Sequence, residues 1–214
     1  VKAEIARVHI HGFDPRSSTV HWRFAEPSGR QIVLEIIDGK CVFYENKLGV
    51  LTNSPSFDWQ LTNLNNYVNL LPGRTEPHTL GNMSLSSFGG GSAMIGLPGD
   101  FTPPSRFVRA AFFQSTAPQK PDAEGSVFTA FHILGSMEIP IGAQFPVDET
   151  PADIPSATQC TCVTDMSGLR FYYRSMYDGG IRCIDLKEID FKKIGLKSEP
   201  LVPSKKEFVH HIRF

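Results

Sequence analysis

This chain predicts an α+β fold built on antiparallel sheets, and three observations predict it. Strand-like alternation of apolar and polar residues fills the early part, apolar spacings of three and four fill the middle, and alternation returns near the end. A parallel βαβ chain would interleave those two periods throughout, so the segregated order fits sheets with a helical block between them.

Taken in order, Val1, Ile5 and Val8 share one helical face, which predicts a helix over residues 1–8, broken by Gly12-Phe13-Asp14-Pro15. It opens without a capping residue, as a helix cut from a longer sequence does. From Thr19 to Ala25 the residues Val20, Trp22 and Phe24 alternate with polar ones, a strand closed by the turn Glu26-Pro27-Ser28-Gly29. Residues 31–37 and 40–46 form a hairpin across Asp38-Gly39, a pair that tolerates the positive φ of a type I′ turn. A short strand over Gly49–Leu51 then delivers Thr52-Asn53 at its end, where Pro55 stops any ladder.

Leu61, Leu64, Tyr67, Val68 and Leu71 recur at three and four, predicting a helix from Phe57 to Leu71 that ends at Pro72-Gly73. Residues 85–102 are rich in Gly and Ser and read as a loop. Pro103-Pro104 opens a second helix with Phe107, Val108, Ala111 and Phe112 on its buried face, running to Gln114. A third helix covers Ala123 to Met137. The Pro-rich stretch 139–155 is an extended loop, and residues 158–164, 169–175 and 181–186 form a meander with turns at residues 165–168 and 178–180.

Composition narrows the function classes. With 21 basic against 22 acidic residues and a formal net charge of -1, no global field draws the chain to nucleic acid or to an anionic membrane. No apolar run approaches the roughly 20 residues that cross a bilayer, and no signal-peptide pattern opens the chain. The four cysteines, Cys41, Cys160, Cys162 and Cys183, are too irregularly spaced for a disulfide framework and read as buried structural residues within strands. His9, His11, His21 and the pair His210-His211 lack metal-ligand spacing, and Gly89-Gly90-Gly91 belongs to no phosphate-binding pattern. No metal and no nucleotide cofactor is expected.

Two residues stand out as chemically useful. Asn53 can be a plain turn residue before Pro55, or its side-chain NH2 can meet a developing oxyanion. Arg106, in the first turn of its helix, opposes the helix dipole; either it joins a surface salt bridge, with Arg109 sharing it, or it supports an anionic group such as a thiolate. The aromatic residues Phe57, Trp59 and Phe101 serve equally as walls of an acyl pocket or as core.

The stretches Gly49-Val50-Leu51-Thr52-Asn53-Ser54-Pro55-Ser56-Phe57-Asp58-Trp59 and Leu97-Pro98-Gly99-Asp100-Phe101-Thr102-Pro103-Pro104-Ser105-Arg106-Phe107-Val108-Arg109 resemble the choloylglycine hydrolase and penicillin V acylase family. The likeness extends over nearly all of the chain. It implies a single domain with the αββα four-layer sandwich of N-terminal nucleophile hydrolases and hydrolysis of linear amides such as penicillin V or conjugated bile acids, with N-acyl homoserine lactones as an alternative substrate. It makes Asn53 an oxyanion-hole donor and Arg106 the arginine that contacts the nucleophilic cysteine, and it implies no cofactor and a homotetramer. That cysteine becomes residue one in the family, whereas Val1 carries no thiol. The chain is therefore expected to lack the N-terminal third of a relative, and the alternative is a non-catalytic fragment or subunit completed by a partner segment bearing the nucleophile. Around Gly90-Gly91-Ser92-Ala93-Met94 and Thr102-Pro103-Pro104 the wording resembles Gram-negative acylases more than Gram-positive bile salt hydrolases. Relatives occupy both cytoplasm and periplasm, which leaves the compartment open.

Overall fold

The computed structural model describes residues 1–8, 10, 21–152, 155–201, 205–206, 208–209 and 211–212. The expectations placed on His9, His11 and His210, and on the beginning of the first strand, lie outside them. The chain divides into two compact units, Val1–Thr116 and Ala117–Phe214.

In the first unit, β1 (Trp22–Ala25), β2 (Gln31–Ile37) and β3 (Lys40–Glu45) form an antiparallel sheet with β2 in the centre. The predicted hairpin register holds: Ile37 faces Lys40 and Val33 faces Tyr44, with Asp38 and Gly39 both at positive φ between the strands. Strand alternation turns Val33, Glu35 and Tyr44 to one face, on which α1 (Phe57–Asn63) and α2 (Pro103–Thr116) pack. The core there is Val33, Val50, Phe57, Phe107 and Ala111, with the rings of Tyr44, Phe57 and Phe107 in tilted and edge-on contact.

Several expectations are corrected in this unit. Residues 1–8 form no α-helix but a single 3₁₀ turn, Ile5–Arg7; so short a segment with little buried surface cannot offset the cost of helix nucleation. Gly49–Leu51 is not a strand. The buried side chain of Asn46 takes the place of a ladder partner, accepting from Gly49 N at 2.8 Å and donating to Val50 O at 3.0 Å. The helix expected to reach Leu71 ends at Asn63 and continues only as a 3₁₀ turn, Leu64–Tyr67. Its Asn-rich stretch, Asn63 to Asn66, is poor in helix formers, and Val68 is left 85% exposed. The stretch before the glycine-rich loop holds an unexpected small hairpin, β4 (His78–Leu80) with β5 (Met83–Leu85), turned by Gly81 at positive φ.

The second unit lays α3 (Ala123–Gly135) on the antiparallel sheet β6 (Cys160–Asp165), β7 (Arg170–Ser175) and β8 (Asp178–Asp185). Asp122 caps α3 by accepting from Gly125 N. Val127 and Phe131 from the helix meet Tyr172, Val163 and Ile181 from the sheet. Here the last hairpin turns earlier than expected, at residues 176–177, because Gly179 and Gly180 belong to β8. The cysteines do lie in strands, but Cys41, Cys162 and Cys183 are exposed and Cys160 is half-buried. Strand alternation explains Cys41: it is paired with exposed Ile36, on the sheet face turned away from α1 and α2. The part of the Cys162 sulfur that its neighbours cover, and then the adjacent Cys160, push its thiol up, the opposite direction from an activated thiol.

Candidate active site

In the first unit, the loop after Leu51 and the start of α2 meet. Thr52 Oγ1 donates to Pro103 O at 3.0 Å, which ties the two segments together one residue before Asn53. Arg106 Nη2 then donates to Asn53 Oδ1 at 2.7 Å. That bond sets the amide orientation, because the opposite flip would aim NH2 at the guanidinium, donor against donor. Nδ2 is left without a hydrogen bond among the described residues, on an exposed residue. Asn53 O in turn accepts from Nε2 of Gln60, which is only 1% exposed.

Arg106 is half-buried and held at a second point, its Nε donating to Phe101 O at 2.9 Å. Burial first, and then the nearby charge of Arg109, lower its proton affinity. A guanidinium nonetheless stays charged. Among the described residues no carboxylate forms an ion pair with Arg106, so its charge faces the Asn53 carbonyl oxygen and whatever binds beside it. The surface salt bridge shared with Arg109 does not form. Arg109 is 6% exposed, and its Nη1 donates to Pro98 O at 2.7 Å and to Asp100 O at 2.5 Å, while its guanidinium lies 5.6 Å from the Phe101 ring centre.

Asp100 completes the loop from the other side. Its Oδ1 accepts from Thr102 Oγ1 at 2.5 Å and from Thr102 N at 2.9 Å, and Oδ2 accepts from Ser105 Oγ at 2.7 Å. Those hydrogen bonds hold the carboxyl at about 2. Asp100, Ser105, Arg109 and Gln60 were not singled out from sequence as site residues. The pattern Asp100-x-Thr102-Pro103-Pro104 did carry a signal, since Asp two residues before a Thr that precedes proline at a helix start is a local cap. Of the aromatic candidates, Phe57 is core, Trp59 is exposed and Phe101 lies against Arg109.

Chemically, the arrangement offers one neutral N–H donor of fixed orientation beside a held cation. It can stabilise negative charge on a carbonyl oxygen and on a neighbouring sulfur or carboxylate. Neither Asn53 nor Arg106 is hydrogen-bonded to a cysteine among the described residues. No group of three or more His, Cys, Asp or Glu among the described residues is placed to hold a metal.

Comparison with known proteins adds an independent line. The family description "linear amide C–N hydrolases, choloylglycine hydrolase family" matches residues 2–199. A bile salt hydrolase/transferase of Clostridium perfringens is 36% identical over 172 residues, 80% of this chain and 51% of that protein. A penicillin V acylase of Pectobacterium atrosepticum is 31% identical over 195 residues, covering 84% of this chain and 45% of that protein. Of these two, the higher identity is to the bile salt hydrolase. The crystal structure of a mutant conjugated bile acid hydrolase from Clostridium perfringens superposes with a TM-score of 0.77 at 32% identity, over 90% of this chain and 57% of that one. The chain spans about half the length of the curated relatives it matches.

Proposed function

This chain belongs to the choloylglycine hydrolase family of linear amide C–N hydrolases, and from that premise we propose that residues 1–214 carry the oxyanion-binding part of an amide hydrolase site. The observation that carries this is the Arg106–Asn53 hydrogen bond, which leaves Asn53 Nδ2 as a donor of fixed orientation. In the proposed reaction a cysteine thiolate from outside these residues, on the same polypeptide or on a partner segment, attacks the amide carbonyl. Asn53 Nδ2–H donates to the resulting oxyanion, and Arg106 favours the thiolate over the thiol. The C–N bond breaks as the amine leaves with the proton that the thiol gave up; water then cleaves the acyl thioester, its oxygen going to the acid and one of its protons back to the sulfur.

For the complete protein we propose the αββα four-layer sandwich, which the likeness to conjugated bile acid hydrolase supports. The substrate we propose is a glycine- or taurine-conjugated bile acid, since the bile salt hydrolases are the more similar relatives, with penicillin V second. The natural protein bearing these residues is incubated with conjugated bile acids, phenoxymethylpenicillin and N-acyl homoserine lactones, and free amine and acid are measured. Release from a conjugated bile acid is expected. Release from none of them contradicts the proposal and favours the reading as a non-catalytic subunit.

A further inference from the structure

Central strand β2 carries a carboxylate where its pattern calls for a hydrophobe. Within Ile32-Val33-Leu34-Glu35-Ile36-Ile37, Glu35 shares the helix-facing side with Val33 and is only 3% exposed. Burying a carboxylate in a core is costly unless it is paired and hydrogen-bonded. Its Oε1 accepts from Phe57 N at 2.8 Å; His21 Nδ1 stands 2.6 Å from the same oxygen without hydrogen-bond geometry, and Oε2 is buried without a partner.

Phe57 is the first residue of α1 and ends the segment Asn53-Ser54-Pro55-Ser56. One turn further on, buried Gln60 reaches back to Asn53 O. Beside the ties from α2 through Thr52 and Arg106, two anchors of the segment therefore run through the first turn of α1, and the hydrogen bond from that turn to the sheet goes to Glu35. A hydrophobe in its place would fill the core but leave the Phe57 N–H unmet and the segment free to shift.

We propose that Glu35 is a positioning residue that holds the Asn53 segment at the distance its oxyanion role requires. The inference rests on the function proposed above. Catalytic donors tolerate little displacement, so a small shift of this segment reads out in turnover rather than in substrate binding.

The test is a mutant cycle in the natural protein with a conjugated bile acid. Glu35→Gln is nearly isosteric but exchanges a charge-assisted bond for a neutral one. We expect it to lower kcat about tenfold with KM within about twofold, and to lower kcat less than about twofold in an Asn53→Ala background. Equal losses in both backgrounds overturn the proposal, because a merely structural role is indifferent to Asn53. A second readout needs no activity: in Glu35→Gln the Phe57 amide should exchange faster and the Asn53 side-chain NH2 resonances should shift. If neither moves in the folded variant, the proposal fails. A wild-type protein that releases no amine overturns the hydrolase reading, while the exchange and resonance measurements still decide the positioning one. Glu35→Asp, whose shorter side chain draws the acceptor away from Phe57 N, is expected to show the same pattern and serves if Glu35→Gln does not fold.

Discussion

At the scale of single residues, the site depends on which atoms are already occupied. Asn53 offers one acceptor end and one donor end, and Arg106 consumes the acceptor end. Arg106→Ala should therefore free the amide to rotate and lower kcat by about 10², comparable to losing one oxyanion donor. Arg106→Lys should recover little, because an ammonium cannot reproduce the fork that meets both Phe101 O and Asn53 Oδ1. Asp100 makes a pH prediction. Its carboxyl is held at about 2, below the ordinary 3.8, by hydrogen bonds from Thr102 and Ser105. A lowered carboxylate contributes stability above its ordinary range, and that contribution is lost as pH falls through about 2. Glu45 is also lowered to about 2, but by exposed Arg30 and Lys2. An acid titration followed by circular dichroism should thus separate them: about 1 M salt weakens the Glu45 share, while the Asp100 share persists and disappears in Asp100→Asn. Asn53 and Arg106 were visible in sequence because their neighbours form long motifs. Glu35 and Gln60 were not, since an acid in an apolar strand and an amide on a helix face acquire meaning only when the fold supplies their partners.

Elements place these residues. The approach to Asn53 is held by Asn46, which satisfies Gly49 N and Val50 O where a strand partner was expected. Asn46→Ala leaves two buried backbone groups unmet and should cost about 2 kcal/mol in a denaturant titration. Gly49 is at positive φ, a conformation that an L side chain rarely adopts, so Gly49→Ala should also be destabilising. On α2, Phe107→Ala removes a fully buried ring beside Phe57 and Val33 and should cost about 3–5 kcal/mol. The β2–β3 hairpin, α2 and α3 were legible because turn chemistry, proline placement and apolar spacing agree there. The segment after Leu51 was not, because a side-chain amide replaces a ladder and leaves no periodic trace. The helix from Phe57 failed for a different reason: its leucines keep the spacing, while its asparagines favour leaving the helix.

On the scale of the whole molecule, each unit is an antiparallel sheet covered by helix, and the family match runs through both, from residue 2 to residue 199. We retain the single domain as a proposal on that continuity. The homotetramer implied by family resemblance is likewise a proposal, and light scattering of the natural protein should give about four times the protomer mass. The central claim is narrower than either: Asn53, oriented by Arg106, binds the oxyanion of a hydrolysed linear amide. Its most direct test is free glycine or taurine released per second from conjugated bile acid by the natural protein and by its Asn53→Ala variant. If Asn53 binds the oxyanion, release is measurable and kcat falls by about 10²–10³ in the variant; undiminished turnover in Asn53→Ala would contradict that role.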